Sequence, residues 1–417
     1  MSMHDSDSVG QQIDAVYRAE RARLLARLIG VVGDFDLAEE ALQDAFVAAV
    51  RTWPDVGVPD NPAGWLMTAA KRKAIDRIRR GGARERRQRD WGELSIAWTS
   101  GDPRDSMIDD RLRLIFTCCH PALGIEAQVA LTLRSVGGLT TAEVASAFMV
   151  SESTLAQRLV RAKGKIRDTK IPYRVPPASQ LSERLDAVLA VIGLIFNAGY
   201  LAGEGNELVR VDLCDEAKRL AHLVIELLPG EAEAAALGAL LCMQDARRAA
   251  RVGTDGQPLT LEEQDRSMWD RGQILAGLQL LERSVSMAPP GPFALKASIS
   301  AVHSSTRDAA STDWHAIIAL YDQLAVFEPT PVVALNRAVA VAMAGTPADG
   351  LALLEDPMIA EPLASYHLFH STRADLLRRS GHHDEAAVAY AQARGLTRNR
   401  AEHDFLDRRL AELSTND

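Results

Sequence analysis

Six basic side chains stand between Lys71 and Arg80, and Asp76 is the one acid among them. A helix this cationic matches the phosphate backbone of a nucleic acid, because Lys and Arg neutralise phosphates and release their counterions. The segment begins with Asn61 and Pro62, which suit an N-cap and a first helical turn. Many basic helices are simply solvated surfaces, so the charge alone leaves that alternative open.

The preceding segment, residues 34–44 (DFDLAEEALQD), has the opposite charge, with five acids and no base. Leu37, Ala41, Leu42 and Ala45 supply an inward apolar stripe, which predicts that the acids line the outer face of one helix. Such a face suits a basic protein partner and would repel DNA. A solvated helix surface is the alternative.

Residues 125–167 have the pattern of a helix-turn-helix. Thr140 and Glu143 form a capping-box pair at the start of one helix, and Ser151 suits the N-cap of the next. The outward side chains of that second helix are polar or basic, types that read base edges or hold phosphates in a major groove. They are Ser153, Thr154, Gln157, Arg158 and Arg161 near its start, then Lys163, Lys165 and Arg167. A helix-turn-helix used only for packing is the alternative.

Helices must position these segments, because Ala, Leu and Arg recur at three- to four-residue spacing through most of the chain. Alternating β-branched runs are scarce, so we expect an all-α protein. Polar stretches that contain Gly and Pro mark two linkers. The expected divisions are a helical domain at 10–80, a linker at 81–107, a helix-turn-helix domain at 108–168, a linker at 169–181 and a helical tail at 182–417.

The composition is that of a soluble globular protein, with 47% hydrophobic and 25% charged residues. The first residues lack the layout of a signal peptide, and no stretch approaches the roughly 18 uninterrupted apolar residues of a membrane span. We therefore expect a cytoplasmic protein with no membrane partner. The net charge of −9 shows that the chain as a whole is not a basic DNA-binding protein, so individual segments must supply any DNA contact.

The order of acidic helix, basic helix, linker and helix-turn-helix resembles the extracytoplasmic-function (ECF) sigma factors of RNA polymerase. LAEEALQDAF at 37–46 and NPAGWLMTAAKRKAIDRIRR at 61–80 look like sigma region 2, and TTAEVASAFMVSESTLAQRLVRAKGKIR at 140–167 looks like region 4. Further strings, among them IFNAGY, LEEQDRSMWDR and LNRAVAVAMAG, are similar to a group of these sigma factors that bears a long tetratricopeptide-like tail. The likeness covers nearly the whole chain.

The resemblance implies a sigma factor that binds core RNA polymerase and directs promoter recognition and transcription initiation. The implied polymerase contacts are Asp36, Glu39, Glu40 and Gln43. The implied contacts with the −10 promoter element are Lys71, Arg72, Lys73, Arg77 and Arg80. The implied contacts with the −35 element are Ser153, Thr154, Gln157, Arg158, Arg161, Lys163 and Lys165. A helix-turn-helix regulator that does not substitute for a sigma factor is the alternative.

The tail has weak repeats, because Ala374, Gly381, Ala386, Tyr390 and Ala393 have the offsets of a tetratricopeptide repeat. Such repeats stack into an α-solenoid, which predicts a modulating role and a protein or small ligand as partner. No nucleophile–base pair or cofactor fingerprint stands out, so we expect no enzyme, metal or cofactor. An enzyme housed in the tail is the remaining alternative.

Overall fold

The computed structural model describes residues 3–80, 103–148, 150–200, 204–205, 209–253 and 257–414. The chain divides into two units, Met1–Val191 and Ile192–Asp417. Most of the predicted linker at 81–107 lies outside the described residues. The predicted linker at 169–181 is non-helical up to residue 177.

The first unit is built from helices. They are α1 (Met3–Val32), α2 (Phe35–Val56), α3 (Pro62–Arg80), α4 (Pro103–Cys118), α5 (Ile125–Leu131), α6 (Thr141–Ala147), α7 (Glu152–Asp168) and the first half of α8 (Ala178–Tyr200). A π-helical turn at Thr132–Val136 follows α5 directly. The acidic and basic segments therefore become α2 and α3, as their periodicity predicts.

The helix α2 buries one face, at Phe35, Ala38, Ala41, Leu42, Ala45, Phe46, Ala49 and Trp53. This spacing is that of an amphipathic helix and differs slightly from the predicted stripe, because Ala38 is buried and Leu37 is only half-buried. Trp53 packs edge-on against Trp65 of α3, with ring centroids 5.5 Å apart. The acidic and basic helices are thus held side by side.

The helix-turn-helix forms where the capping residues predict it. The backbone N–H of Glu143 donates to Thr140 Oγ1 at 3.1 Å, and the N–H of Thr140 donates back to the Glu143 carboxylate at 2.6 Å. Gly138 precedes them with a φ of 80°, a conformation that favours glycine. Ser151 caps α7 by accepting from the N–H of Thr154 at 3.1 Å. Leu155 and Leu159 of α7 are buried.

The second unit is helical apart from a short strand pair. Its elements are the second half of α8, β1 (Glu204–Gly205), α9 (Val211–Leu227), α10 (Ala232–Asp245), α11 (Arg271–Met287), α12 (Pro292–Ser304), α13 (Trp314–Phe327), α14 (Pro331–Ala344), α15 (Pro347–Leu354), α16 (Pro357–Ala360), α17 (His367–Arg379), α18 (His383–Leu396), β2 (Arg398–Asn399) and α19 (Arg400–Ser414). Two 3₁₀ turns lie at Arg248–Ala250 and Arg266–Met268. The all-α class is confirmed for the described residues.

Consecutive helices pack against each other through this second unit. In the α17–α18 pair, Ala374, Ala386, Tyr390 and Ala393 share one buried cluster, and Gly381 turns the chain between the helices with a φ of 81°. The first part of the unit also contacts the last part. The strand β1 pairs in parallel with β2, and Arg409 of α19 pairs with Glu263 at 2.6 Å.

No helix among the described residues is long and apolar enough to cross a membrane.

Candidate protein and nucleic-acid interfaces

The predicted acidic face lies at the start of α2. Asp34 caps the helix, because its carboxylate accepts from the N–H of Leu37 at 3.0 Å. Asp36, Glu40 and Gln43 are exposed, as the sequence predicts. Glu39 differs, since only 11% of its side chain is exposed. The acidic face therefore has an open part and one carboxylate that is enclosed by other elements.

Two cations from distant parts of the chain enclose Glu39. Lys163 of α7 donates through Nζ to Glu39 Oε2 at 2.5 Å and to Asp36 Oδ1 at 3.1 Å. Arg21 of α1 donates to the other oxygen of Glu39 at 3.3 Å, and to the carbonyl of Arg134 at 2.7 Å. The side chains of Lys163 and Arg21 are only 10% and 5% exposed. A predicted DNA contact and two predicted polymerase contacts thus form one network.

The network changes the acidity of its cations. Burial disfavours the charge on Lys163, but the carboxylates of Glu39 and Asp36 outweigh burial and raise the pKa of Lys163 above its ordinary value. Burial and the nearby Arg134 lower the pKa of Arg21, while Glu39 counteracts them. Lys163 is therefore held as a cation against α2.

The basic helix α3 contributes a second bridge to α2. Arg77 pairs with Glu40 and, at 2.9 Å, with Asp44. The hydrogen bond to Asp44 and the charges of both acids raise the pKa of Arg77. About a third of the Arg77 side chain remains exposed, together with more than a third of each acid. The pair is therefore accessible to solvent and screened by salt.

The other predicted contacts on α3 differ from Arg77. Arg72 and Lys73 are exposed, and neither has an ion pair among the residues that the structure describes. Lys71 is half-buried, and burial together with the charge of Arg27 lowers its pKa to about 8. The side chain of Arg80 lies outside the described residues. Among the described side chains of α3, Arg72 and Lys73 are thus the exposed cations without an ion pair.

The start of α7 presents a row of exposed polar side chains. Ser153, Thr154 and Gln157 are exposed, and the Ser151 hydroxyl lies 2.9 Å from Ser153 Oγ and 2.8 Å from Thr154 Oγ1. The N-cap therefore also orients hydroxyls that can meet a groove. Arg161 folds back along the helix, since its Nε donates to the Gln157 carbonyl at 3.4 Å.

A groove runs beside α7, between that helix and the start of α5. Its cationic lining is Arg158, Arg161 and Lys165, and its acidic lining is Glu126. Arg158 pairs with Glu126 at 2.8 Å, whereas Arg161 and Lys165 are exposed. Of the predicted −35 contacts, Lys163 alone faces α2 in the structure, and the others lie at the start or outer side of α7.

Sequence reasoning missed three groups that build this arrangement. Arg21 and the carbonyl of Arg134 meet across 113 residues, and Tyr173 bonds through its hydroxyl to the Ala26 carbonyl at 2.7 Å. Tyr173 also packs edge-on against Phe35. No local spacing signals such contacts. The one available signal was a tyrosine in a proline-bordered linker, where an aromatic side chain needs a surface to cover it.

Two histidines of the tail have partners among the described residues. His367 pairs with Glu402 at 3.0 Å, and His370 Nε2 lies 2.8 Å from the Ala364 carbonyl. Among the described residues, no three side chains of His, Cys, Asp or Glu group as metal ligands.

Three protein families match successive parts of the chain. The Sigma-70 region 2 family matches residues 16–84, which hold α2 and α3. The Sigma-70 region 4 family matches residues 113–166, which hold the helix-turn-helix. A family of unknown function, DUF6596, matches residues 184–285 at the start of the tail.

The relatives of the chain include an uncharacterised protein and proteins named as ECF sigma factors. An uncharacterised protein of Rhizobium meliloti is 38% identical over 412 residues, which are 96% of each chain. The probable ECF RNA polymerase sigma factor SigI of Mycobacterium tuberculosis is 32% identical over 182 residues, 43% of this chain and 60% of that protein. The ECF RNA polymerase sigma factor SigK of Mycobacterium ulcerans is 28% identical over 177 residues, 39% of this chain and 94% of that protein.

Proposed function

Since the chain belongs to the ECF family of RNA polymerase sigma factors, we propose how its residues bind core RNA polymerase and promoter DNA. The exposed acids of α2 bind a basic surface of core polymerase, α3 engages the −10 element, and the start of α7 reads the −35 element. A protein with these partners works in the cytoplasm.

The proposed polymerase contacts are Asp36, Glu39, Glu40 and Gln43. Asp36 and Glu40 are half-exposed carboxylates on neighbouring turns of α2, and Gln43 lies exposed one turn later. Carboxylates on one face steer a basic partner and fix its register more than they add raw affinity. Glu39 joins them when Lys163 leaves.

The proposed −10 contacts on α3 differ in whether they are already ion-paired or buried. Arg72 and Lys73 are exposed without ion pairs among the described residues, so they meet phosphates or unstacked bases at no cost of breaking a pair. Arg77 must first exchange Glu40 and Asp44 for DNA, and Lys71 must keep its proton despite burial. Arg72 and Lys73 are therefore the described cations that can bind DNA without first breaking an ion pair, and Arg80 is a further proposed contact.

The proposed −35 contacts lie on α7. Ser153, Thr154 and Gln157 are placed to read base edges, while Arg158, Arg161 and Lys165 hold the backbone beside them. Lys163 is an additional phosphate contact when it is released from α2. The observation that carries the proposal is the order of an acidic α2, a basic α3 and a capped helix-turn-helix within residues matched by Sigma-70 regions 2 and 4.

Run-off transcription with purified core polymerase tests this function. The full chain is expected to direct transcription from its own promoter, and the double variant Asp36→Lys/Glu40→Lys is expected to lose core binding at least tenfold. The double variant Arg72→Glu/Lys73→Glu is expected to keep core binding and lose promoter opening. A helix-turn-helix regulator would instead bind no core polymerase. Its affinity for promoter DNA would not fall when the charges of Asp36 and Glu40 are reversed.

We propose further that the tail modulates this activity. The boundary of the first unit lies inside α8, and Arg184 of α8 donates to the Phe116 carbonyl at 2.5 Å. A truncation intended to remove the tail alone must therefore keep α8 and end after Tyr200. An inhibitory tail makes that truncated chain more active in run-off transcription, and a required tail makes it inactive. Equal activity of the two chains contradicts modulation.

A further inference from the structure

Hydrogen bonds of three described side chains tie the sigma region 2 helices α1 and α2 to region 4 and the loop after it. Lys163 bonds Glu39 and Asp36, Arg21 bonds the carbonyl of Arg134, and the Tyr173 hydroxyl bonds the carbonyl of Ala26. Each contact joins residues more than 100 positions apart in sequence. The Lys163 contact is the only one of the three that uses proposed polymerase-binding carboxylates.

The Lys163 contact and polymerase binding exclude each other on Glu39. Glu39 is 11% exposed while Lys163 and Arg21 occupy its two oxygens. A basic group of polymerase can reach this carboxylate only after Lys163 withdraws. Asp36 also bonds Lys163 through one oxygen, but half of its side chain stays exposed.

We propose that the free chain is a closed form in which Lys163 masks the polymerase-binding acids of α2, and that core RNA polymerase binds by displacing it. This inference rests on the proposed function of α2. The apparent affinity for polymerase is then proportional to the fraction of molecules in the open form, because polymerase binds only that form.

Lys163 masks a proposed polymerase contact and leaves the proposed −35 contacts at the start of α7 uncovered. The start of α7, with Ser153, Thr154 and Gln157, stays exposed while Lys163 is held. The closed form therefore hides Glu39, engages one oxygen of Asp36, and leaves most −35 contacts open. Opening is expected to raise the affinity for polymerase strongly. It raises the affinity of the free chain for −35 DNA only by the contribution of about one phosphate contact, that of Lys163.

Zero-length carbodiimide crosslinking of the full-length chain detects the closed form directly. This reagent joins a lysine amine to a carboxylate in contact with it, so Lys163 is expected to couple to Glu39 or Asp36, as read by mass spectrometry of the peptides. Lys165 is the internal control, because it is exposed and has no carboxylate partner among the described residues. Prior addition of core polymerase is expected to reduce the Lys163 crosslink at least fivefold. An unchanged crosslink in the polymerase complex overturns the inference.

Variants measure the consequence for affinity. Lys163→Met, which keeps the aliphatic stem, is expected to bind core polymerase about fivefold to tenfold more tightly than the wild type in the absence of DNA. The matched control is Arg167→Met, one turn later on α7, where the side chain is 64% exposed and its one ion pair among the described residues is with its neighbour Asp168. It is expected to bind like the wild type, and thermal unfolding confirms that both variants fold.

The outcomes separate the two proposals. If neither the wild type nor any variant binds core polymerase, the proposed function fails. If all three bind equally, the sigma function stands and the closed form is wrong. Weaker binding by Lys163→Met also overturns the inference, since it would make Lys163 itself a polymerase contact.

Discussion

Glu39 in the first unit and Asp245 in the second are both carboxylates held by two cations. They differ in how exposed they are and in how far along the chain their partners lie. Glu39 is 11% exposed and takes Arg21 and Lys163 from 18 and 124 residues away. Asp245 is 1% exposed and takes Lys218 and Arg248 from 27 and 3 residues away. The Asp245 pairs join α9, α10 and the turn that follows α10.

The difference separates a replaceable pair from a fixed one. A carboxylate that is only 1% exposed cannot bind another molecule unless its surroundings unfold. Asp245 therefore stabilises the fold of the tail. The Glu39–Lys163 pair instead joins segments matched by Sigma-70 regions 2 and 4, and Glu39 keeps Arg21 from within region 2 when Lys163 is exchanged for a partner. This contrast fits the proposal that polymerase binding releases Glu39 from Lys163.

The Asp245 network gives the largest expected effect. Asp245→Asn keeps the shape of the side chain but removes the buried anion, so that Lys218 and Arg248 keep only Asp215 as an acidic partner among the described residues, and its side chain is 55% exposed. We expect a loss of about 3 kcal/mol in the free energy of unfolding of the tail. Chemical denaturation measures it, with Asp322→Asn as the control, because that carboxylate is 54% exposed and its loss costs under about 1 kcal/mol. A similar small cost at Asp245 would erase the contrast with Glu39.

Close packing in the tail gives the next effect. A Cβ added to Gly350 of α15 would lie 2.6 Å from Ala342 Cβ and 2.9 Å from the Ala338 carbonyl of α14. Because backbone and a fixed methyl cannot move aside, Gly350→Ala is expected to cost about 2 kcal/mol in thermal or chemical denaturation. Gly395 in α18 is the control, since a Cβ there meets nothing within 4 Å. Equal stabilities would show that α14 and α15 pack loosely.

A cationic cluster in the tail should make its stability depend on pH. Burial, with Arg247 and Arg266 nearby, lowers the pKa of His303 to about 4 from 6.5. The unfolded chain then binds a proton that the folded chain refuses between these values, so stability is full above pH 6.5 and falls as the pH drops to about 4. We expect His303 to contribute about 1–2 kcal/mol to this loss, after allowing for its partial exposure.

The variant His303→Gln checks that dependence. Its unfolding free energy should fall less than that of the wild type between pH 7 and pH 4.5. The control is His222→Gln, whose parent ring is 71% exposed and should leave the wild-type slope in place. Parallel curves for His303→Gln and the wild type would rule out the role of His303.

Local signals predicted the helices and their caps, because a cap depends on residues three positions apart. Thr140, Glu143 and Ser151 bond as expected, and Asn61 accepts from the N–H of Gly64 at 2.9 Å. The inward turn of Glu39 could not be predicted, since its partner Lys163 is fixed by how two regions pack. The pairing of β1 with β2 across nearly 200 residues carries no sequence pattern either.

The recognition helix α7 should respond to an added methyl group in the opposite way to α15. A Cβ on Gly164 would meet only Arg167 Nη2, at 3.8 Å, so there is room for it. Alanine loses less backbone entropy than glycine in a helix, and Gly164→Ala is therefore expected to stabilise the first unit by about 0.5–1 kcal/mol. Chemical denaturation of the full chain measures this gain. A loss of stability would mean that α7 packs more tightly against its neighbours than the Lys163 contact requires, and would weaken the case for a releasable region 4.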